Sequence, residues 1–140
     1  MNKNHHVHNL IILDESGSMQ SIKSTIITGF NELVQTIQGI EKQFPEQEHT
    51  ISFLTFNGLG QKFHHFNDAA SKLKQIDEEV YKPDSLTPLF DAMGFSINKL
   101  KKLLEGQSDY NVLVTILTDG EENDSKEFSG ADIKKLVEEL

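Results

Sequence analysis

Apolar side chains along the chain follow two spacings, one typical of buried strands and one typical of amphipathic helices. A nearly continuous apolar run at 7–13 indicates a strand buried on both faces, and it ends abruptly in Asp-Glu-Ser-Gly-Ser. Apolar residues then recur every three or four positions from Ile22 to Phe44, which predicts a long helix ending before Pro45. The same spacing runs as far as Leu104 in a second helix, which we expect to open at Thr87-Pro88, a cap followed by proline.

The segment between these two helices predicts a hairpin followed by a surface connection. Residues 50–56 are rich in β-forming side chains, and residues 57–60 (Asn-Gly-Leu-Gly) have turn chemistry. We expect 61–66 to return as the antiparallel arm. For 67–86 we expect a surface connection with a short helical piece at 70–75.

The last third of the chain predicts a strand at 110–117 and a helix that starts near Ser129. Helices that alternate with strands indicate a mostly parallel sheet. The fold class is therefore α/β: a doubly wound, Rossmann-like sheet with helices on both faces and one antiparallel edge strand from the hairpin. In such sheets, ligands bind outside the carboxyl ends of the strands.

The length, composition and charge of the chain argue against several classes of function. The 140 residues suffice for one domain, and no apolar run approaches the ~20 residues of a membrane helix. Cysteine is absent and the N-terminus has no secretory pattern, so we expect a cytoplasmic protein without disulfides. The net charge is −9 and all 13 basic residues are lysines, which argues against nucleic-acid binding.

Oxygen-bearing side chains gather where the predicted strands end. Asp14, Ser16 and Ser18 follow the first strand, Thr87 opens the second helix, and Asp119 ends strand 110–117. Carboxylate and hydroxyl oxygens suit a hard divalent ion, Mg²⁺ above all, with Mn²⁺ or Ca²⁺ as alternatives. Each residue alone also has an ordinary role, since Ser18 or Thr87 would cap a helix. Capping a helix is compatible with binding a metal ion, because a hydroxyl oxygen has one lone pair for each role.

The joint pattern resembles the von Willebrand factor A domain family. Residues 10–18 (Leu-Ile-Ile-Leu-Asp-Glu-Ser-Gly-Ser) resemble its Asp-x-Ser-x-Ser signature, residues 86–92 (Leu-Thr-Pro-Leu-Phe-Asp-Ala) its threonine segment, and residues 116–120 (Ile-Leu-Thr-Asp-Gly) its closing aspartate. The resemblance implies a metal-ion-dependent adhesion site in a protein-binding module that is not an enzyme. The ion would touch Ser16, Ser18 and Thr87, act through waters with Asp14 and Asp119, and bind an acidic side chain of a partner protein.

Three features depart from the family pattern. Members commonly have glycine before the threonine, where this chain has Ser85-Leu86. Three acidic residues also crowd the last loop: Glu121, Glu122 and Asp124. They are expected to form a solvated rim; the alternatives are that they repel an acidic partner or that one of them fills the open coordination position. Members usually continue with further strand–helix units. We therefore expect 1–140 to be a single, C-terminally truncated domain that lacks the last strand or strands, with 110–117 on an exposed edge able to self-associate.

Two rival functions use the same strand ends. A phosphotransferase or phosphatase with a strand-end aspartate nucleophile would need a second acid at position 16, which is serine. An accessory subunit of an ATP-driven, chelatase-like assembly would use the same metal site, so the sequence does not separate it from an adhesion module. Among the histidines, His64 and His65 are expected to face opposite ways in a strand, and His6 and His8 to share a face at a solvated strand start.

Overall fold

The computed structural model describes residues 5–15, 17–57, 60–77, 81, 83, 89–106, 110–118 and 130–139. Within these ranges the strands are β1 (His5–Asp14), β2 (Gln47–Asn57), β3 (Gly60–Ala69) and β4 (Tyr110–Leu117). The α-helices are α1 (Lys23–Gln43), α2 (Leu89–Leu104) and α3 (Gly130–Glu139). Short 3₁₀ helices span Gly17–Ile22 and Ala70–Lys72.

The described strands form one mixed sheet in the order β3-β2-β1-β4. β1 is parallel to both β2 and β4, and β3 pairs antiparallel with β2. The predicted α/β fold, with its parallel sheet and antiparallel hairpin strand, is confirmed. Because β1 is central and parallel to both neighbours, the carboxyl ends of β1, β2 and β4 meet at one edge of the sheet.

Two apolar layers cover the sheet, one on each face. Alternate β1 side chains divide between them, because successive residues of a strand point to opposite faces. Ile11 and Leu13 pack with α1 residues such as Phe30, whereas Leu10 and Ile12 pack with α2. All four of these β1 side chains are at most 1% exposed. The continuous apolar run in the sequence thus marks the strand that is buried on both faces.

The long helix was predicted from its apolar spacing, and the structure places the same side chains in the core. Ile26, Phe30 and Ile37 are buried on the face of α1 that meets the sheet. The α-helix proper begins at Lys23, with Ile22 at the cap position and no side-chain cap hydrogen bond. The cap position of α1 is thus four residues beyond Ser18, whose side chain lies outside what the structure describes.

β3 is less regular than the alternating pattern predicts. Its pairing with β2 shifts register between Ile51 and Phe53 and again between Phe53 and Leu54. Each shift adds a residue to β3, and such bulges bend a strand and re-aim its side chains. The helical piece expected at 70–75 is only the single 3₁₀ turn Ala70–Lys72. Leu73 and Ile76 of the connection that follows are nevertheless buried against the core on the α1 face.

Candidate functional site

Asp14 is the last residue of β1, and its side chain is completely buried. Leu13 of β1 pairs with Leu117 of β4. Thr118, the residue that follows β4, therefore lies beside Asp14. Thr118 Oγ1 donates a hydrogen bond of 2.7 Å to Asp14 Oδ2. A buried carboxylate is costly unless hydrogen bonds or a cation compensate it. The hydroxyl both compensates and orients this carboxylate at the carboxyl edge of the sheet.

The backbone at Asp14 is also held from two directions. The Glu15 N–H donates to the carbonyl of Phe56 at 2.8 Å, which continues the β1–β2 pairing one residue past the strand. The phenolic hydroxyl of Tyr81, a residue that is 1% exposed, donates to the carbonyl of Asp14. These contacts fix the position of Asp14 before the chain turns toward α1.

The 3₁₀ helix Gly17–Ile22 begins three residues after Asp14, and Ser18 lies in its first turn. Met19, fully buried on the α1 face, anchors this turn to the core. The side chain of Ser18 lies outside what the structure describes. Ser16, Thr87 and Asp119 also lie outside the described residues, as do Glu121, Glu122 and Asp124. The grouping of the five predicted positions therefore stays a prediction, and the described part of the site is Asp14 with its supports.

Sequence reasoning missed Thr118 and Tyr81 as supports of Asp14. Thr118 carried a usable signal, because it directly precedes Asp119 at the end of a strand parallel to β1. Tyr81 carried none: its contact with Asp14 spans 67 residues of chain and depends on how the connection folds back over the sheet.

The four histidines discussed above are arranged differently from the expectation. His6 and His8 do share a face, with ring centroids 3.8 Å apart, but His8 is only 2% exposed. Both rings hydrogen-bond the Thr50 hydroxyl, at 2.9 Å from His6 and 3.2 Å from His8, so the solvated strand start is wrong for His8. They sit at the opposite end of β1 from Asp14, as expected.

His64 and His65 do not divide between the two faces, because the register shift interrupts alternation in β3. The His64 ring lies against Phe53 and its Nε2 is hydrogen-bonded to Thr55 Oγ1 at 2.8 Å. His65 is itself the pairing partner of Phe53, and directly opposite residues share a face. Its Nδ1 lies 2.9 Å from Asp68 Oδ2. The expectation of opposite faces is wrong.

Comparison with known proteins decides the family. The family model for the von Willebrand factor type A (vWA) domain matches residues 10–140. The chain belongs to this family. No curated protein gives a significant match to this vWA domain. The match begins within β1, four residues before Asp14, and covers all five of the predicted metal-site positions.

The described part of this vWA domain suits a hard cation in its donor chemistry. Asp14 supplies a buried carboxylate at the carboxyl edge of the sheet, and Thr118 supplies the outer hydrogen bond that commonly orients a metal-binding group. Within the described ranges there is no group of three or more histidine, cysteine, aspartate or glutamate residues placed to hold a metal. The predicted metal site has two carboxylates and three hydroxyls, so three of its five ligands are serine or threonine and belong to none of those four residue types.

Tyr81→Phe tests the support of Asp14 without touching its carboxylate. The change removes one buried hydroxyl donor and leaves the ring in place, so we expect the free energy of unfolding to fall by about 1 kcal/mol. Urea denaturation followed by circular dichroism measures this. Tyr110→Phe, on a half-buried tyrosine of β4, is the matched control. Equal stabilities of Tyr81→Phe and the unmodified chain would show that the hydroxyl does not hold the Asp14 backbone.

Proposed function

We propose that this vWA domain is a metal-dependent protein-interaction module that binds an acidic side chain of a partner protein through a divalent cation. Asp14, Ser16, Ser18, Thr87 and Asp119 would hold the cation, Mg²⁺ above all. Members of the family are in general protein-interaction modules, and family membership supports that coarser part. The observation that carries the finer part is Asp14, fully buried at the strand end and oriented by Thr118.

The donor set explains why a partner's carboxylate would be attracted. Three hydroxyl ligands are neutral, and the two carboxylates act partly through waters in the arrangement that the family resemblance implies. A divalent cation held in this way keeps much of its charge for an incoming anion. The N-terminal end of the 3₁₀–α1 segment lies just after Asp14 and adds a favourable dipole for negative charge.

We also propose that the domain is not an enzyme. A strand-end phosphotransferase needs a general acid or base beside its nucleophile, and position 16 carries serine. A chelatase-like accessory role uses the same binding chemistry inside a larger assembly, and it would differ in the partner rather than in the site.

Selection of displayed random peptides on the immobilised chain tests the proposed function. With Mg²⁺ present and elution by EDTA, we expect recovered peptides to share an aspartate or glutamate. Their binding should be lost when that residue becomes asparagine or glutamine, and also on the Asp14→Asn variant. Peptides that bind equally in EDTA would contradict metal dependence. Metal-dependent hydrolysis of a generic phosphate ester, lost in Asp14→Asn, would favour the phosphotransferase instead.

A further inference from the structure

Two amide side chains of α1 hold the connecting segment that follows β3, residues 70–77. After its first 3₁₀ turn this segment has no regular structure, since residues 73–77 belong to no helix or strand. Leu73 and Ile76 are nevertheless buried against the core on the α1 face. The N–H and C=O groups of a buried backbone need hydrogen-bond partners, and a strand ladder does not supply them to these residues. Asn31 and Gln38 supply several of them instead.

Asn31 binds the backbone of Ile76 in both directions. Its Nδ2 donates to the Ile76 carbonyl at 3.0 Å, and its Oδ1 accepts from the Ile76 N–H at 2.8 Å. The side-chain amide thus pairs with Ile76 as a peptide group of an adjacent strand would. Gln38 lies about two turns further along α1 on the same side of the helix. Its Nε2 donates to the carbonyls of Leu73 at 3.1 Å and Ala70 at 3.4 Å.

Tyr81 connects this segment to the strand end. Its N–H donates to the carbonyl of Asp77 at 3.0 Å, and its hydroxyl donates to the carbonyl of Asp14. The Glu15 N–H, at the other end of the same peptide unit, donates to the Phe56 carbonyl at 2.8 Å. The peptide unit that follows Asp14 is therefore held at both ends, and one of these two contacts depends on where the connecting segment lies.

Tyr81 acts on the backbone of Asp14 and not on its carboxylate. Leu13 packs on the α1 face, so the side chain of Asp14, the next residue of β1, is directed to the opposite face. There the Thr118 hydroxyl donates to the carboxylate. The direction of a side chain depends on the backbone that carries it. The contact of Tyr81 on one face therefore complements that of Thr118 on the other.

Asn31 also joins the two parts of the chain that carry most of the predicted ligands. α1 continues the part that contains Asp14 and both serines, and the connecting segment continues toward Thr87. Asn31 belongs to the first part and Ile76 to the second. A displacement of one part against the other would change the distances among the ligand oxygens. Mg²⁺ tolerates little departure from octahedral geometry at about 2.1 Å, so such a displacement would weaken its binding.

We propose that Asn31 is a positioning residue for the proposed metal site. It fixes the connecting segment against α1, which places Tyr81 on the backbone of Asp14 and sets the path of the chain toward Thr87. The proposal rests on the proposed function and deepens it, because metal affinity then depends on how α1 and the segment are joined. The linkage is reciprocal, so a bound cation stabilises the contact between Asn31 and Ile76.

Calorimetric titration of Mg²⁺ into the full chain compares two variants with the same chemistry. Asn31→Ala removes the amide contact nearer Tyr81, and Gln38→Ala removes the one farther from it, so both should lower the urea midpoint. We expect only Asn31→Ala to weaken Mg²⁺ binding, by about tenfold, the lower end of the loss typical of groups that orient a metal-binding residue. Asn31→Asp keeps the acceptor for the Ile76 N–H and serves as a milder variant should Asn31→Ala fold poorly.

Two results of this titration would overturn the proposal. One is equal Mg²⁺ affinity in the unmodified chain and in both Asn31 variants. The other is an equal loss of affinity in Asn31→Ala and Gln38→Ala, which would mean that a looser fold alone weakens the metal. In the unmodified chain, saturating Mg²⁺ should also slow hydrogen exchange of the Ile76 amide, which donates to Asn31.

Hydrogen exchange of the Glu15 amide tests the linkage without any metal. Its rate is taken relative to the Ile12 amide in the buried part of β1, which reports opening of the whole sheet. We expect the relative rate to rise about fivefold in Asn31→Ala and in Tyr81→Phe, the factor expected for loss of one hydrogen bond. The double variant should show no further rise, because both changes release the same contact. Gln38→Ala should leave the relative rate unchanged.

The positioning role and the proposed function fail in different ways. An unchanged relative rate at Glu15 in Asn31→Ala overturns the positioning role, whatever the metal does. Absence of Mg²⁺ binding to the unmodified chain overturns the proposed metal-dependent function, and the Glu15 rate then still decides whether Asn31 holds the strand end in place.

Discussion

Replacing Asp14 with alanine is expected to abolish measurable binding of Mg²⁺ and Mn²⁺ to this vWA domain. The side chain is fully buried at the strand end, and Thr118 fixes its orientation. Even residues that act on a metal through water or another ligand typically contribute about 10–100-fold to affinity, so we expect a loss of about 100-fold or more. Isothermal titration calorimetry measures it directly.

Two further variants separate loss of the metal from loss of the fold. Asp14→Asn keeps the size of the side chain and an oxygen that accepts from Thr118, so it removes the charge alone and should still lose the metal. Asp68→Ala, which removes a half-buried acid next to His65 on β3, is the matched control and should bind metal normally. The unmodified chain should melt at higher temperature in Mg²⁺, whereas Asp14→Asn should not. If Asp14→Ala binds the metal with the same affinity as the unmodified chain, Asp14 is not part of the metal site.

The second large effect is expected at β4, where we predict that the chain self-associates. Among the described residues no strand pairs with the outer edge of β4. Natural edge strands are usually blunted by charges or prolines, and Tyr110–Leu117 contains neither. Leu113 is 53% exposed on the face that α1 covers elsewhere, which makes it the most exposed large apolar side chain among the described residues. A second copy pairing edge to edge about a two-fold axis would bury it.

Light scattering over a concentration series tests this association. The net charge of −9 on each copy opposes it, so association should increase with salt as repulsion is screened. Leu113→Lys should restore the monomer. Phe95→Lys replaces a similarly exposed apolar residue, at 45%, on α2 and should leave the association unchanged. A monodisperse monomer at high concentration, with β4 amides protected from exchange no less than those of β1, would mean that the edge is covered within the chain.

Periodic, strongly apolar segments were predictable from the sequence because local pattern and burial agree there. The spacing that includes Ile26, Phe30 and Ile37 predicts α1, and the apolar run at 7–13 predicts the central strand. Tyr110–Leu117 was predicted with the bounds that the structure shows. In α1 and β1, hydrophobic burial alone is enough to select the element. The sequence also favours a buried strand at 110–117, but none of the side chains of β4 is fully buried.

The polar interior was less predictable, because its side chains are satisfied by partners that lie far away in the chain. His8 is buried since the Thr50 hydroxyl, 42 residues later, bonds its ring. The face of the sheet to which His64 and His65 point depends on the bulges in β3, and no pattern of residue types in the sequence predicts these bulges. Asp14 was identified because an acid directly after a buried strand needs compensation. Its partners Thr118 and Tyr81 required the fold.

Diffraction from crystals soaked in Mn²⁺, recorded at a wavelength where manganese scatters anomalously, tests the central claim most directly. We predict one strong peak at the carboxyl edge of the sheet, beside Asp14, with hydroxyl oxygens at direct-ligand distance, about 2.1 Å for a magnesium-like ion. A carboxylate from a neighbouring molecule or a water should complete the coordination. A peak at the histidines instead, or no peak at the strand end under saturating Mn²⁺, would contradict the proposed metal-dependent function.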